Sequence, residues 1–166
     1  LCAFANYADA LTISPAKIEL TGDPGSVVSG EFLIMNEQGN DMTFYTSAEN
    51  FEAQGESGVP SFKKDNTGLA SWINVEPKFS LSKGQQVAVP FSAKIPVDAE
   101  AGGYFSAIFL STTPPDIKDG QVSVGAKIGV LVFLRVSGAI KEGGGVISFD
   151  TTDKNHFYSS LPISFT

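Results

Sequence analysis

The chain of 166 residues is 42% hydrophobic and carries a formal charge of −7, with 11 Lys and Arg against 18 Asp and Glu. Its length allows one domain with a well-buried core, and its acidity argues against nucleic acid and against electrostatic docking on anionic lipid, both of which need a basic surface. The single Cys2 leaves no internal disulfide and no thiolate metal cluster, while 13 Phe interrupted by 17 Gly and 9 Pro favour strands and tight turns.

Leu1 to Ala10, LCAFANYADA, is apolar until Asp9 and closes on the small, any, small pattern of a signal-peptidase site. It reads as the remnant of an export signal, so that the chain begins inside a longer one; an ordinary first strand rich in alanine is the alternative. Lipid attachment at Cys2 is a further alternative, which residues ahead of Leu1 would decide. Leu11 to Leu20 places Ile13, Ile18 and Leu20 around Pro15, which has no amide proton for a central ladder, and predicts an edge strand or one that changes sheets. TGDPG at Thr21 to Gly25 is a turn by composition. Val27 to Asn36 then reads as a strand whose apolar content on both faces gives it a central position. Asn36 to Asp41 ends it, and Met42 to Ala48 is a third strand.

From Glu49 to Leu69 the pattern loosens, and Gly, Ser, Asn and Asp dominate; the stretch is expected to be a long exposed connection with only Phe51, Val59 and Phe62 to anchor it inward. Long connections without regular structure are where contacts are often made. Phe51, Glu52, Phe62, Lys63, Lys64 and Asp65 are therefore the candidate partner-binding residues, with a plain insertion as the alternative. Trp72, beside Ile73 and Val75, reads as a core anchor rather than a ligand-stacking ring.

Leu81 to Leu110 is the most informative stretch. Val87, Val89, Phe91, Ala93 and Ile95 alternate with Gln86, Ala88, Pro90, Ser92 and Lys94, the period of a half-buried strand. Pro96 and the pair Gly102 and Gly103, expected at positive φ, then reverse the chain before Tyr104 to Leu110, which gives an antiparallel pair. After a loop through Pro114 and Pro115, Val122 to Val136 is the strongest apolar run. Ile128, Val130, Val132, Leu134 and Val136 lie on one face and Leu131 and Phe133 on the other, as in a central strand buried on both sides. Gly125 and Gly129 are candidate bulge positions. Arg135, the lone arginine, is expected in a structural ion pair. Gly138 to Gly145 reads as a Gly-rich linker. Val146 to Thr166 then reads as the opening strands of a truncated second β domain, a hairpin on the first domain being the alternative.

Little in the chain carries chemistry. His156 stands in DKNHF without a nucleophile elbow or a metal-binding helix around it. Asp150, Asp153 and Asn155, or Asp65 and Asn66, offer oxygens but reproduce no calcium-loop spacing. Gly143 to Gly145 lacks the residues of a phosphate cradle. No spacing selects a carboxylate pair for glycoside hydrolysis. The expectation is a protein that is not an enzyme and needs no cofactor and no metal. No apolar run reaches about 18 residues, so no membrane-spanning helix is expected in this stretch.

SPAKIEL at Ser14 to Leu20, PGSVVSGEFLIMN at Pro24 to Asn36, the lone Trp72, and the run from Phe79 to Leu110 resemble bacterial cell-surface immunoglobulin-like domains, in particular the extracellular domain of WxL-interacting proteins. The likeness spans residues 11–137 and implies an all-β, immunoglobulin-like antiparallel β-sandwich exported to the cell envelope. It also implies a second such domain and often a membrane anchor downstream. The partner it implies is cell-wall polymer, peptidoglycan above all, or another surface protein. Chaperone-like exchange of a strand at an open edge, motivated by LPISFT at Leu161 to Thr166, is the alternative function.

Overall fold

The computed structural model describes residues 11–54, 59–63, 65, 67–114, 127–139, 149–151 and 163–165. The expected export-signal remnant with Cys2, the residues Lys64, Asn66 and His156, and the glycines at 125 and 143–145 lie outside the described residues.

Two sheets stack face to face in an immunoglobulin-like sandwich. Leu11–Ser14 (β1) pairs antiparallel with Val27–Asn36 (β3). Pro15, which cannot donate to a ladder, follows β1, and the chain passes to the other layer as Lys17–Gly22 (β2). Of the two outcomes expected around Pro15, an edge strand or a change of sheet, both occur, since β1 and β2 each end the strand order of a different sheet. One pairing departs from the expected all-antiparallel pattern: β2 runs parallel to Lys127–Val136 (β10), because a strand that changes sheets without reversing keeps its direction.

Met42–Gln54 (β4) and Val59–Lys63 (β5) form an antiparallel hairpin, Phe51 opposite Phe62. The expectation of a long unstructured connection from Glu49 is therefore corrected. The strand begun at Met42 runs on to Gln54 because Phe51 finds an aromatic partner across the ladder, a cross-strand gain that local composition conceals. Gly68–Trp72 (α1) is a single helical turn that buries Leu69 between the sheets, and Trp72 packs against the core with its ring 4.7 Å from that of Tyr104. Asn50 holds the approach to this turn. Its Nδ2 donates to Thr67 O at 2.7 Å and to Asp65 Oδ1 at 2.8 Å, and its Oδ1 accepts from the Ala70 amide at 2.9 Å.

Ile73–Val75 (β6) joins the first sheet, and Lys78–Leu81 (β7) the second, beside β4. Gln86–Lys94 (β8) lies between β3 and β6, with Val89, Phe91, Ala93 and, just beyond it, Ile95 buried, as their alternation requires. Gly102–Ser111 (β9) lies in the other sheet, between β4 and β10. The strands expected to pair across Pro96 to Gly103 therefore face one another across the core instead. Two strands that bury the same kind of apolar face do so equally well in opposite layers about 10 Å apart, and the intervening residues span that gap. Gly102 has φ +152°, but Gly103 lies in β9 without positive φ, which corrects the expected pair of positive-φ glycines.

The sheet orders are β1-β3-β8-β6 and β2-β10-β9-β4-β5, with β7 also on β4. Phe32, Ile34, Phe44, Ile108, Leu110 and the even-numbered valines of β10 fill the space between them. Pairing between β9 and β10 passes through Gly129 without a bulge. Phe149–Thr151 (β11) and Ile163–Phe165 (β12) pair antiparallel in a small two-stranded sheet of their own.

Candidate functional site

Side chains alternate along a strand, so the burial of Val130, Val132, Leu134 and Val136 sends Leu131, Phe133 and Arg135 to the outside of the larger sheet. Register then decides what they meet. Phe105 lies opposite Phe133, Ala107 opposite Leu131, and Phe109 opposite Gly129. On the other flank of β9, β4 aligns Glu49 with Ala107, which carries Phe51 to the level of Phe105, and β5 brings Phe62 beside Phe51. Ring centroids are 5.3 Å apart for Phe105 and Phe133, 5.9 Å for Phe51 and Phe105, 5.7 Å for Phe51 and Phe62, and 5.1 Å for Phe62 and Phe109. Most meet edge to face or tilted, the arrangement that the ring quadrupole favours. Ala107, on the same face, is fully buried, yet Phe62 is 41% and Phe105 43% exposed.

Two glycines make room for the cluster. A Cβ on Gly129 would stand 2.9 Å from the ring of Phe109, and one on Gly103 3.2 Å from that of Phe105. The value of Gly103 is therefore close approach of a ring rather than backbone conformation.

The charges around the face are largely neutralised in place. Lys127 Nζ lies 3.8 Å from the Phe109 centroid and 2.9 Å from Oε1 of the nearly buried Glu49. Lys17 reaches over Phe133 at 5.6 Å while paired with Glu19 at 2.7 Å, and Lys63 meets Glu52 at 2.6 Å. Arg135 is the exception. It is exposed at the lip of a depression of about 480 Å³ bounded also by Glu19, Thr21, Phe105 and Phe133. It makes no ion pair among the described residues, contrary to the structural pair expected of it.

The candidate residues from sequence thus divide. Phe51 and Phe62 come together in the outward cluster, where the inward anchoring expected of them does not occur. Glu52 and Lys63 form a rim ion pair, and Asp65 accepts a hydrogen bond from Asn50. Phe105, Phe109, Phe133, Lys127 and Arg135 are part of this face and were not among the candidates. The visible signal for them is that β9 and β10 are apolar on both faces. Among the described residues no cluster of His, Cys, Asp and Glu forms a metal-binding group, and no helix is long and apolar enough to cross a membrane.

No protein-family model matches the chain, and no curated protein matches it. Solved structures do share its fold. The fold is an immunoglobulin-like sandwich similar to that of PapD-like domains. The ASH/PapD-like domain 7 of human CEP192 superposes with a TM-score of 0.54 at 13% identity, over 84% of this chain and 94% of that one. The class 5 fimbriae chaperone CfaA gives 0.57 at 11% identity, over 95% of this chain and 80% of that one. A family 123 glycoside hydrolase from Clostridium perfringens gives 0.52 at 9% identity, over 80% of this chain but 28% of that one. At such identities the likeness is one of architecture, and the same architecture serves unrelated functions.

Proposed function

We propose that this chain is a non-catalytic protein-binding module of an extracytoplasmic surface or envelope assembly, and that it engages its partner through the phenylalanine face of the larger sheet. The observation that carries this reading is the outward cluster itself. Five rings, two of them more than two-fifths exposed, form an apolar surface that folding alone does not require, and contiguous exposed apolar surface of this kind marks interaction sites. Burying such rings against a partner supplies most of an interface's affinity.

The partner class follows from the surroundings. The rings pack edge-on or tilted to one another, and the nearby lysines 17, 63 and 127 are already paired, so the face offers few hydrogen-bonding groups to fix the hydroxyls of a wall polymer. Arg135, exposed beside Phe105 and Phe133 and without an ion pair among the described residues, favours a protein surface that presents an apolar centre and a carboxylate at its rim. The net charge of −7 disfavours a second copy in that place. The extracytoplasmic setting is supported by the sequence of residues 1–10 and by the resemblance to cell-surface domains, and a fimbriae chaperone is among the structures of this fold.

The test is the size of the native assembly. In extracts of the cells that make it, the chain is expected to migrate in a complex larger than itself, and Phe62→Ser with Phe105→Ser is expected to return it to the size of a single chain. Migration as a single chain without substitution, a complex indifferent to the two substitutions, or the same complex formed by the purified chain alone would refute the reading.

A further inference from the structure

Strand β8 is accompanied unequally on its two flanks. Along one, β3 pairs with it from Gln86 to Lys94. Along the other, β6 covers only Phe91 to Ala93, because after Val75 the chain leaves this sheet and resumes at Lys78 beside β4. In an antiparallel ladder, alternate residues turn both N–H and C=O toward the same neighbour. The Ile95 amide donates to Ser26 O at 2.9 Å, and the Gln85 carbonyl accepts from the Asn36 amide at 2.9 Å, so the odd-numbered residues of β8 face β3. Gln86, Ala88 and Pro90 therefore direct their backbone groups to the uncovered flank, where no described residue pairs with those of Gln86 and Ala88.

Beside that flank, between the two sheets, lies a groove of about 310 Å³ whose apolar lining includes Phe79, Leu81, Val87 and Val89. Open edges are ordinarily blunted by charge, a bulge or proline. Here Pro90 closes only the end next to β6, where Glu76 also borders the groove, and the side chains that β8 carries along the rest of the flank are the uncharged, exposed Gln86 and Ala88.

We infer that the open flank of β8 receives an extended segment of a partner polypeptide as an added strand in line with β6. The occupant is set by hydrogen-bond complementarity: N–H and C=O groups repeated every second residue match an extended backbone. Guest residues opposite Val87 and Val89 point into the groove, so the segment carries aliphatic side chains two residues apart, and the chain's charge of −7 favours a guest without acidic residues. A second copy of β8 matches less well. Pairing about a twofold axis at Ala88 sets Gln86 against Pro90, which has no amide to return one of the two bonds of that pair. This contact is separate from the phenylalanine face, which lies on the outside of the other sheet.

The test uses the capped peptide Lys-Thr-Val-Thr-Val-Thr-Lys titrated into the isotope-labelled chain. Saturable binding is expected to slow hydrogen exchange at the Gln86 and Ala88 amides by at least about tenfold. The same peptide N-methylated on the residues that face β8 is expected not to bind. Ala88→Pro removes an outward donor and keeps the β3 ladder, and it is expected to weaken binding about tenfold. Equal binding of the N-methylated peptide, protection confined to other strands, or no saturation at millimolar peptide would overturn the inference. Dimerisation of the free chain that Ala88→Pro abolishes would assign the flank to a second copy and overturn it as well.

Discussion

The ring of Phe109 rests on the backbone of Gly129, so closely that a single methyl group at position 129 would stand 2.9 Å from two of its carbons. Above the same ring lies the Lys127 ammonium, and to its side the ring of Phe62. Moving the Phe109 ring aside disturbs its contacts with Lys127 and Phe62. Gly129→Ala is therefore expected to destabilise the domain by about 1–3 kcal/mol, the usual cost of overpacking, although alanine is the better strand former. Denaturant unfolding checks this, and a gain in stability would show that the ring moves freely.

The ion pairs at the rim are unequal. Glu49 is 8% exposed and Glu52 lies in the open, so loss of their lysine partners has different consequences. Lys127→Ala leaves a nearly buried carboxylate without its cation and uncovers Phe109, and is expected to cost about 1–3 kcal/mol. Lys63→Ala breaks a solvated pair and is expected to cost less than about 1 kcal/mol. Unfolding curves of the two variants in the same buffer decide the ranking.

Asn50 ties β4 to the turn ahead of α1 through both ends of its amide. Replacing it with alanine is expected to cost about 1–3 kcal/mol from unsatisfied backbone groups, with faster hydrogen exchange at the Ala70 amide. Unaltered exchange at Ala70 would show that the turn holds itself.

How much of this was legible depended on periodicity. In β8 a strict alternation named every buried residue, and Pro15 announced the sheet change, because both signals are local. The partner of each strand was not local. The likeness of β8 and β9 read as a hairpin, whereas the two face each other across the core, and nothing in Ile95 to Gly103 distinguishes a turn within a sheet from a bridge between sheets. The polar residues after Glu49 hid β5, whose existence depends on Phe62 meeting Phe51 across the ladder. The candidate face was half visible for the same reason. Phe51 and Phe62 stand out as aromatics in a polar stretch, but Phe133 reads as part of a strand buried on both sides and Phe105 and Phe109 as part of the strand from Tyr104 to Leu110, since an apolar outer face reads alike whether the protein or a partner covers it.

That ambiguity also separates two kinds of phenylalanine. Phe32, enclosed between the sheets, is expected to cost about 3–5 kcal/mol when cut to alanine. Phe105→Ser, at a position already 43% exposed, is expected to cost less than half as much. Comparable losses at both sites would make the outer cluster a structural element rather than a contact surface.

The most direct test is contact itself: a benzoylphenylalanine placed at position 105, irradiated in the cells that produce the chain. The account predicts a defined adduct with another protein, lost when Phe62→Ser is added, and absent when the photoreactive residue replaces Val97, which is 84% exposed and lies beside Gly25, outside the strands that carry the cluster. Adducts of equal yield at both positions, adducts with wall glycan alone, or none at position 105 would contradict it.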